Sequence, residues 1–127
     1  MINQNIILNF EVKNDKQIKA YKREYSQVIL NLLVNAKDAL LINNIKNGKI
    51  TVTVSTKDNL SIVEIRDNAG GIKEDYLDLV FEPYFSTKKS QGTGLGLYMS
   101  KMIIEKNMQG KITVENSDEG AVFKILL

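Results

Sequence analysis

Ile6 to Val12 mixes apolar residues with Asn9 and Glu11, which predicts a strand, and Asn14-Asp15 then turns the chain. Ile18 to Tyr21 is expected to add a short second strand. From Glu24 the period lengthens. Val28, Ile29, Leu32, Leu33, Ala36, Ala39 and Leu40 recur at helical spacing, interrupted by Asn31, Asn35 and Asp38, so a helix is expected to about Asn43. Asn47-Gly48 is a turn signal ahead of KITVTVSTK, where Ile50, Val52 and Val54 alternate as in a half-buried strand. LSIVEIRD follows as its hairpin partner, and a loop containing Gly70 and Gly71 ends it. Asp75 to Val80 predicts one or two helical turns. A second apolar helical pattern, with Leu95, Leu97, Met99, Met102 and Ile103, runs on through Tyr98 to Met108 and stops at Gln109-Gly110. KITVEN and AVFKILL then form a closing hairpin around Asp118-Glu119-Gly120. Strands alternating irregularly with helices predict an α/β fold: a two-layer α/β sandwich, one mixed sheet covered on one face by helices.

Composition narrows the function without naming it. At 127 residues the chain makes one domain with a single core, and 43% apolar with 25% charged residues is the balance of an ordinary globular protein. A net charge of +2, from 17 basic and 15 acidic side chains, gives no reason to propose nucleic acid or an anionic membrane as partner. There are no cysteines, so disulfides and thiolate metal sites are excluded and a reducing cytoplasmic setting is permitted. There is no histidine either, which removes imidazole bases, histidine triads and histidine metal sites together. No apolar run approaches the ~20 residues needed to span a bilayer.

The candidate chemistry is concentrated in Phe81 to Leu97, FEPYFSTKKSQGTGLGL. Gly92, Gly94 and Gly96 alternate just before the second helical pattern, where glycines let the backbone approach a ligand and free N–H groups favour an anion such as phosphate. Spaced glycines before a helix also serve as plain turns, so both readings stand for the run alone. It is not a Walker loop, because Leu97 and Tyr98 follow the last glycine. It is not a Rossmann turn, because Phe81 to Gln91 separates it from any strand. Lys88 and Lys89 lie in this short lid, either solvated or supplying mobile positive charge beside phosphate. Asn31 and Asn35, four apart, share one face of the first helix. They are either surface amides or carbonyl donors suited to Mg²⁺. Asp67 ends an apolar strand and opens DNAGGI, either capping its own turn or accepting a hydrogen bond from an exocyclic amine such as that of adenine.

In this order, QVILNLLVNAKDAL, DNAGGI, FEPYFSTK and GTGLGL resemble the N box, first glycine box, F box and second glycine box of the catalytic ATP-binding domain of sensor histidine kinases. That family belongs to a superfamily shared with DNA gyrase, heat-shock chaperones and mismatch-repair ATPases. The resemblance covers about Gln27 to Leu97. It implies a Bergerat-type α/β sandwich, with ATP and Mg²⁺ as cofactors. It also implies Asn35 as the Mg²⁺ ligand, Asn31 as a phosphate or metal-shell contact and Asp67 as the adenine-recognising carboxylate. Ala69, Gly71, Ile72 and Phe85 would border the base and lid. Gly92, Gly94 and Gly96 would border the triphosphate, Lys88 would contact phosphate from the lid, and Thr93, Leu95 and Leu97 would be further ATP-binding residues. Asp38 stands where many relatives carry a basic residue near the phosphates, and Ala69 where glycine is common.

Related ATP-hydrolysing enzymes, and the anti-sigma serine kinases, carry a glutamate four residues before the metal-binding asparagine. Here that position is Asn31, which cannot accept a proton, so the resemblance implies a chain that holds ATP for an outside nucleophile. In the family that nucleophile is a histidine on a preceding helical dimerisation domain, with a response regulator downstream. Because Met1 runs almost directly into a strand, the chain is expected to be an excised catalytic half. An anti-sigma-type serine kinase and a degenerate nucleotide-binding module are the alternatives to be separated from this reading.

Overall fold

A computed structural model of the chain describes residues 6–14, 18, 20–85 and 95–127. Five strands form one sheet in the order β1-β2-β3-β5-β4, made of β1 (Ile6–Val12), β2 (Gly48–Lys57), β3 (Leu60–Asp67), β4 (Lys111–Asn116) and β5 (Ala121–Leu126). β1 runs parallel to β2 and the other neighbours are antiparallel, so the sheet is mixed, as expected from sequence. The parallel pair needs a crossover, and the long helix α1 (Lys22–Ile42) supplies it.

Alternation decides which side is covered. Ile50 and Val52 of β2, Val63 and Ile65 of β3, and Phe123 and Ile125 of β5 are all buried in one cluster with α1. Val28, Leu32, Ala36 and Leu40 form the buried stripe of α1 at four-residue spacing, which keeps them on one face. Leu32 is fully enclosed, and truncation of such a leucine typically costs about 2–5 kcal/mol. The opposite sheet face is polar, with Lys124 bridging Glu64 and Glu115 at 3.5 and 3.1 Å. In β1, Ile6 packs against the core, whereas Ile7, Leu8, Phe10 and Val12 are exposed.

The β2–β3 hairpin turns on Asp58 and Asn59, whose φ values of 52° and 67° are those of a two-residue type I′ turn. Three segments depart from the sequence reading. Ile18, Ala20 and Tyr21 form no strand, because the chain there leads directly into α1 at Lys22. The short helix α2 covers Glu74–Leu77, after which the chain continues in turns. The second long helical stretch is composite: α3 (Gly96–Met102) gives way to a wide π-type turn over Ile103–Asn107. The Met108 N–H reaches Ile103 O at 3.2 Å across that turn. In an α-helix residues five apart stand about 140° apart, whereas the wider turn lets Ile103 and Met108 both pack on the core. Gln109, at φ 57°, then ends it as expected. Among the described residues no helix is long and apolar enough to cross a membrane.

Candidate functional site

The carboxylate of Asp67 sits at the C-terminal end of β3 and is buried. Its Oδ1 accepts two backbone N–H groups, from Ala69 at 3.0 Å and Ala121 at 3.2 Å. No bond is made to Oδ2 among the described residues, and this oxygen is not one of their enclosed orphans. Burial raises the Asp67 pKa above the ordinary aspartate value, and the Ala69 and Ala121 bonds oppose that shift without cancelling it.

Beyond Asp67 the chain loses regular structure and is held by side chains from elsewhere. Asn43, just past α1, donates to Ala69 O at 2.9 Å, and the Gly70 N–H donates to Glu119 O at 3.0 Å. Asn68 accepts from the Lys49 N–H at 2.8 Å and donates to Asn47 O at 2.9 Å. Gly70 and Gly71 have φ values of 99° and 88°, which only glycine adopts freely. Gly120 has a different constraint: an added Cβ would stand 2.4 Å from both the carbonyl oxygen and Oδ1 of Asp67. The carboxylate therefore fills the space a side chain would need.

Asn31, Asn35 and Asp38 lie on one flank of α1, half-buried. Asn31 points at α3, donating to Ser100 Oγ at 3.1 Å, with Gly96 O at 3.5 Å, and accepting from Gln27 at 2.9 Å. The Asn35 side chain makes no hydrogen bond among the described residues. Leu95 and Leu97 are half-buried around exposed Gly96, and Leu97 packs on the core. Ile72 also packs on the core, and its backbone is bound by Asn116.

In the F segment, the Phe81 ring stands edge-on to Phe123 at 6.1 Å, with the Lys101 ammonium 5.3 Å from its centre. Phe85 meets Tyr76 edge-on at 5.4 Å. Lys88, Gly92, Thr93 and Gly94 lie outside the described residues. A cavity of about 420 Å³ opens between the α2–Phe81 segment and α3, lined by Phe81, Tyr98, Lys101 and Met102 among others. Of the Phe81–Leu97 segment it takes Phe81 and Glu82, and it includes none of the residues expected to contact the nucleotide.

The structure thus places Asp67, Ala69, Gly71 and Ile72 in one loop at the end of β3, with Asn31 and Gly96 joined across α1 and α3. It adds Asn43, Ser100, Asn116, Gly120 and Ala121, which sequence reasoning did not single out. The sequence had marked Asn43 only as a helix end and Gly120 only as part of a turn.

The histidine kinase-, DNA gyrase B- and HSP90-like ATPase family model matches residues 21–127. The chain is 37% identical over 114 residues to the two-component sensor PprA of Pseudomonas aeruginosa, covering 87% of this chain and 12% of that sensor. Its fold superposes on the catalytic domain of histidine kinase ThkA with a TM-score of 0.84 at 35% identity, covering 96% of this chain and 79% of that domain. ThkA in complex with the response regulator TrrA gives 0.77 at 30% identity, over 96% of this chain and 34% of that one. The open edge of Asp67, the amide-bearing flank of α1 and the mixed sheet beneath them therefore belong to a chain of the histidine kinase-, DNA gyrase B- and HSP90-like ATPase family, of the ATP-binding catalytic-domain type found in sensor histidine kinases.

Proposed function

We propose that this chain binds ATP with Mg²⁺ and presents the γ-phosphoryl group to a histidine on a helical dimerisation domain, for relay to a response regulator in two-component signalling. The observation that carries it is Asp67. A buried carboxylate with one oxygen pinned by two N–H groups, and the other making no bond among the described residues, is oriented to accept a hydrogen bond from the adenine amine. Gly71, at φ 88°, gives the loop the turn that carries its backbone past the base.

Asn35 fits a Mg²⁺ ligand. It offers a hard carbonyl oxygen, is half-buried beside Asn31 and Asp38, and its side chain has no partner among the described residues. Those residues contain no group of three or more acidic or other metal-binding side chains, which suits an ion held chiefly by phosphate, water and one amide. When bound, the ion would offset phosphate charge and align the transferring group. The chain's own part is positioning. Asp67, Ala69, Gly71, Ile72 and Phe85 hold the base, while Asn31, Asp38, Leu95, Gly96 and Leu97 border the phosphates together with Lys88, Gly92, Thr93 and Gly94. Asn31 cannot take a proton, and the accepting histidine must come from outside these residues, which contain none.

The ThkA–TrrA complex supports a response regulator as the downstream partner, and PprA is described as a two-component sensor. The proposed reaction consumes ATP, so the domain would work on the cytoplasmic side, where ATP is available.

Calorimetric titration with a non-hydrolysable ATP analogue and Mg²⁺ tests the site. Asp67→Asn should weaken binding about 10- to 100-fold, the worth of roughly 1.5–3 kcal/mol for a hydrogen bond to a charged group. Unchanged affinity in that variant sinks the adenine assignment. Asn35→Ala should leave binding insensitive to Mg²⁺. Labelled ATP with an added dimerisation domain should give acid-labile phosphohistidine, whereas an acid-stable label would move the acceptor to serine.

A further inference from the structure

We propose that Asn116 is a positioning residue of the nucleotide site, setting the distance between the carboxylate that reads the base edge and the glycine loop that lies against the base face. This rests on the reading of Asp67 and Gly71 as the adenine-binding pair.

Asn116 is the last residue of β4, 44 positions from Ile72, yet its amide takes both backbone groups of that residue. Its Oδ1 accepts the Ile72 N–H at 2.9 Å and its Nδ2 donates to Ile72 O at 2.6 Å. One side chain thereby does what a neighbouring strand would do for a segment that has none. Gly71 depends on the same contact, because a Cβ there would come within 2.9 Å of Asn116 Oδ1.

The hairpin turn ties this clip to the carboxylate. Asn116 pairs with Ala121 in the β4–β5 register, and the Ala121 N–H is one of the two donors on Asp67 Oδ1. The turn between them also receives the Gly70 N–H through Glu119 O. Asp67 at one end of the loop and Gly71-Ile72 at the other are therefore both referenced to a single rung of one hairpin. Without the clip, the loop keeps its attachment at Asp67, Ala69 and Gly70 but loses the grip on its far end. The predicted loss is in recognition of the base, and the phosphate side is spared.

The test is calorimetric titration of the 127-residue chain with Mg²⁺–ADP and Mg²⁺–GDP, alongside melting of the ligand-free protein. Asn116→Ala should weaken ADP binding about tenfold, of the order expected for a lost hydrogen-bonding pair. GDP binding should stay unchanged and the ligand-free Tm should shift only slightly, so that ADP-over-GDP preference shrinks. Asn116→Asp keeps the shape but cannot donate to Ile72 O, and it should behave like the alanine variant. Wild-type ADP preference in either variant overturns the proposal. An equal loss for both nucleotides with a large fall in Tm also overturns it, since Asn116 would then only support the fold. A wild-type chain that fails to prefer ADP overturns the adenine reading itself, and this inference with it.

Discussion

Asn31 of α1 donates to the fully buried hydroxyl of Ser100 on α3 at 3.1 Å, and the Ser100 O–H donates in turn to Gly96 O at 2.8 Å. The amide assigned to the phosphate side of the site thus also stitches the two helices that flank it. Replacing Asn31 by alanine leaves the Ser100 oxygen without its donor in a closed seam, at a cost of about 1 kcal/mol. For a domain of this size that lowers Tm by about 3–6 °C. Thermal melting checks it, and an unchanged Tm would mean the seam is held by apolar packing alone.

Asp67 gives opposite pH signatures for binding and for stability. Its pKa is raised chiefly by burial, so in the ligand-free fold it takes up a proton above the usual aspartate range. An amine donor needs the ionised acceptor, so nucleotide affinity should be full above the raised pKa and fall as pH drops through it. The ionised form is also less favourable folded than unfolded, so this group subtracts stability at neutral pH and ceases to do so in acid. Asp67→Asn should therefore abolish this part of the affinity profile without lowering the ligand-free Tm at pH 7. Titrations across pH and paired melts measure both.

Gly120 carries the seat of the same carboxylate. An added Cβ stands 2.4 Å from the Asp67 backbone and from Oδ1, and a backbone atom cannot swing aside as a flexible side chain can. Gly120→Ala should destabilise by about 1–3 kcal/mol, the usual range for overpacking. It should also reduce nucleotide affinity at temperatures where the protein remains folded. Denaturant unfolding combined with calorimetry gives the two numbers.

Gly96 has no such neighbour: among the described residues, a Cβ there meets nothing within 4 Å. Gly96→Ala at the start of α3 should raise Tm by about 2–4 °C, because about 0.4–1 kcal/mol of unfolded-chain freedom is removed. If its backbone borders the triphosphate as proposed, affinity for the ATP analogue falls several-fold in the same variant. A higher Tm with unchanged affinity would detach Gly96 from the site.

The elements most legible in the sequence were those whose signal is local. Ile50, Val52 and Val54 alternate, Val28 to Leu40 repeat every turn, and Asn47-Gly48 and Gln109-Gly110 punctuate, so strands, helix and turns emerged close to their observed bounds. The π-type turn was not legible, because Ile103, Ile104 and Met108 suit an ordinary helix as well, and the extra residue is set by packing on the core. The same divide runs through the site. Asn35, Asp67 and Gly71 sit within short motifs that resemble a family. Asn116 and Ala121 act on residues 44 and 54 positions away, and Ser100 on one 69 away, through contacts that no window of sequence contains.

The sheet order has a kinetic consequence. β2–β3 and β4–β5 are hairpins closed by two and four residues, whereas the β3–β5 seam joins Ile62 to Leu126 and Arg66 to Val122, across most of the chain's second half. Loop-closure entropy makes the hairpins early and the seam late. The Ala121 N–H on Asp67 crosses that seam, so the carboxylate acquires its fixed orientation only when the two halves have met. A nucleotide held at Asp67 as proposed would latch the last-formed junction, and its release rate should track how often that junction opens.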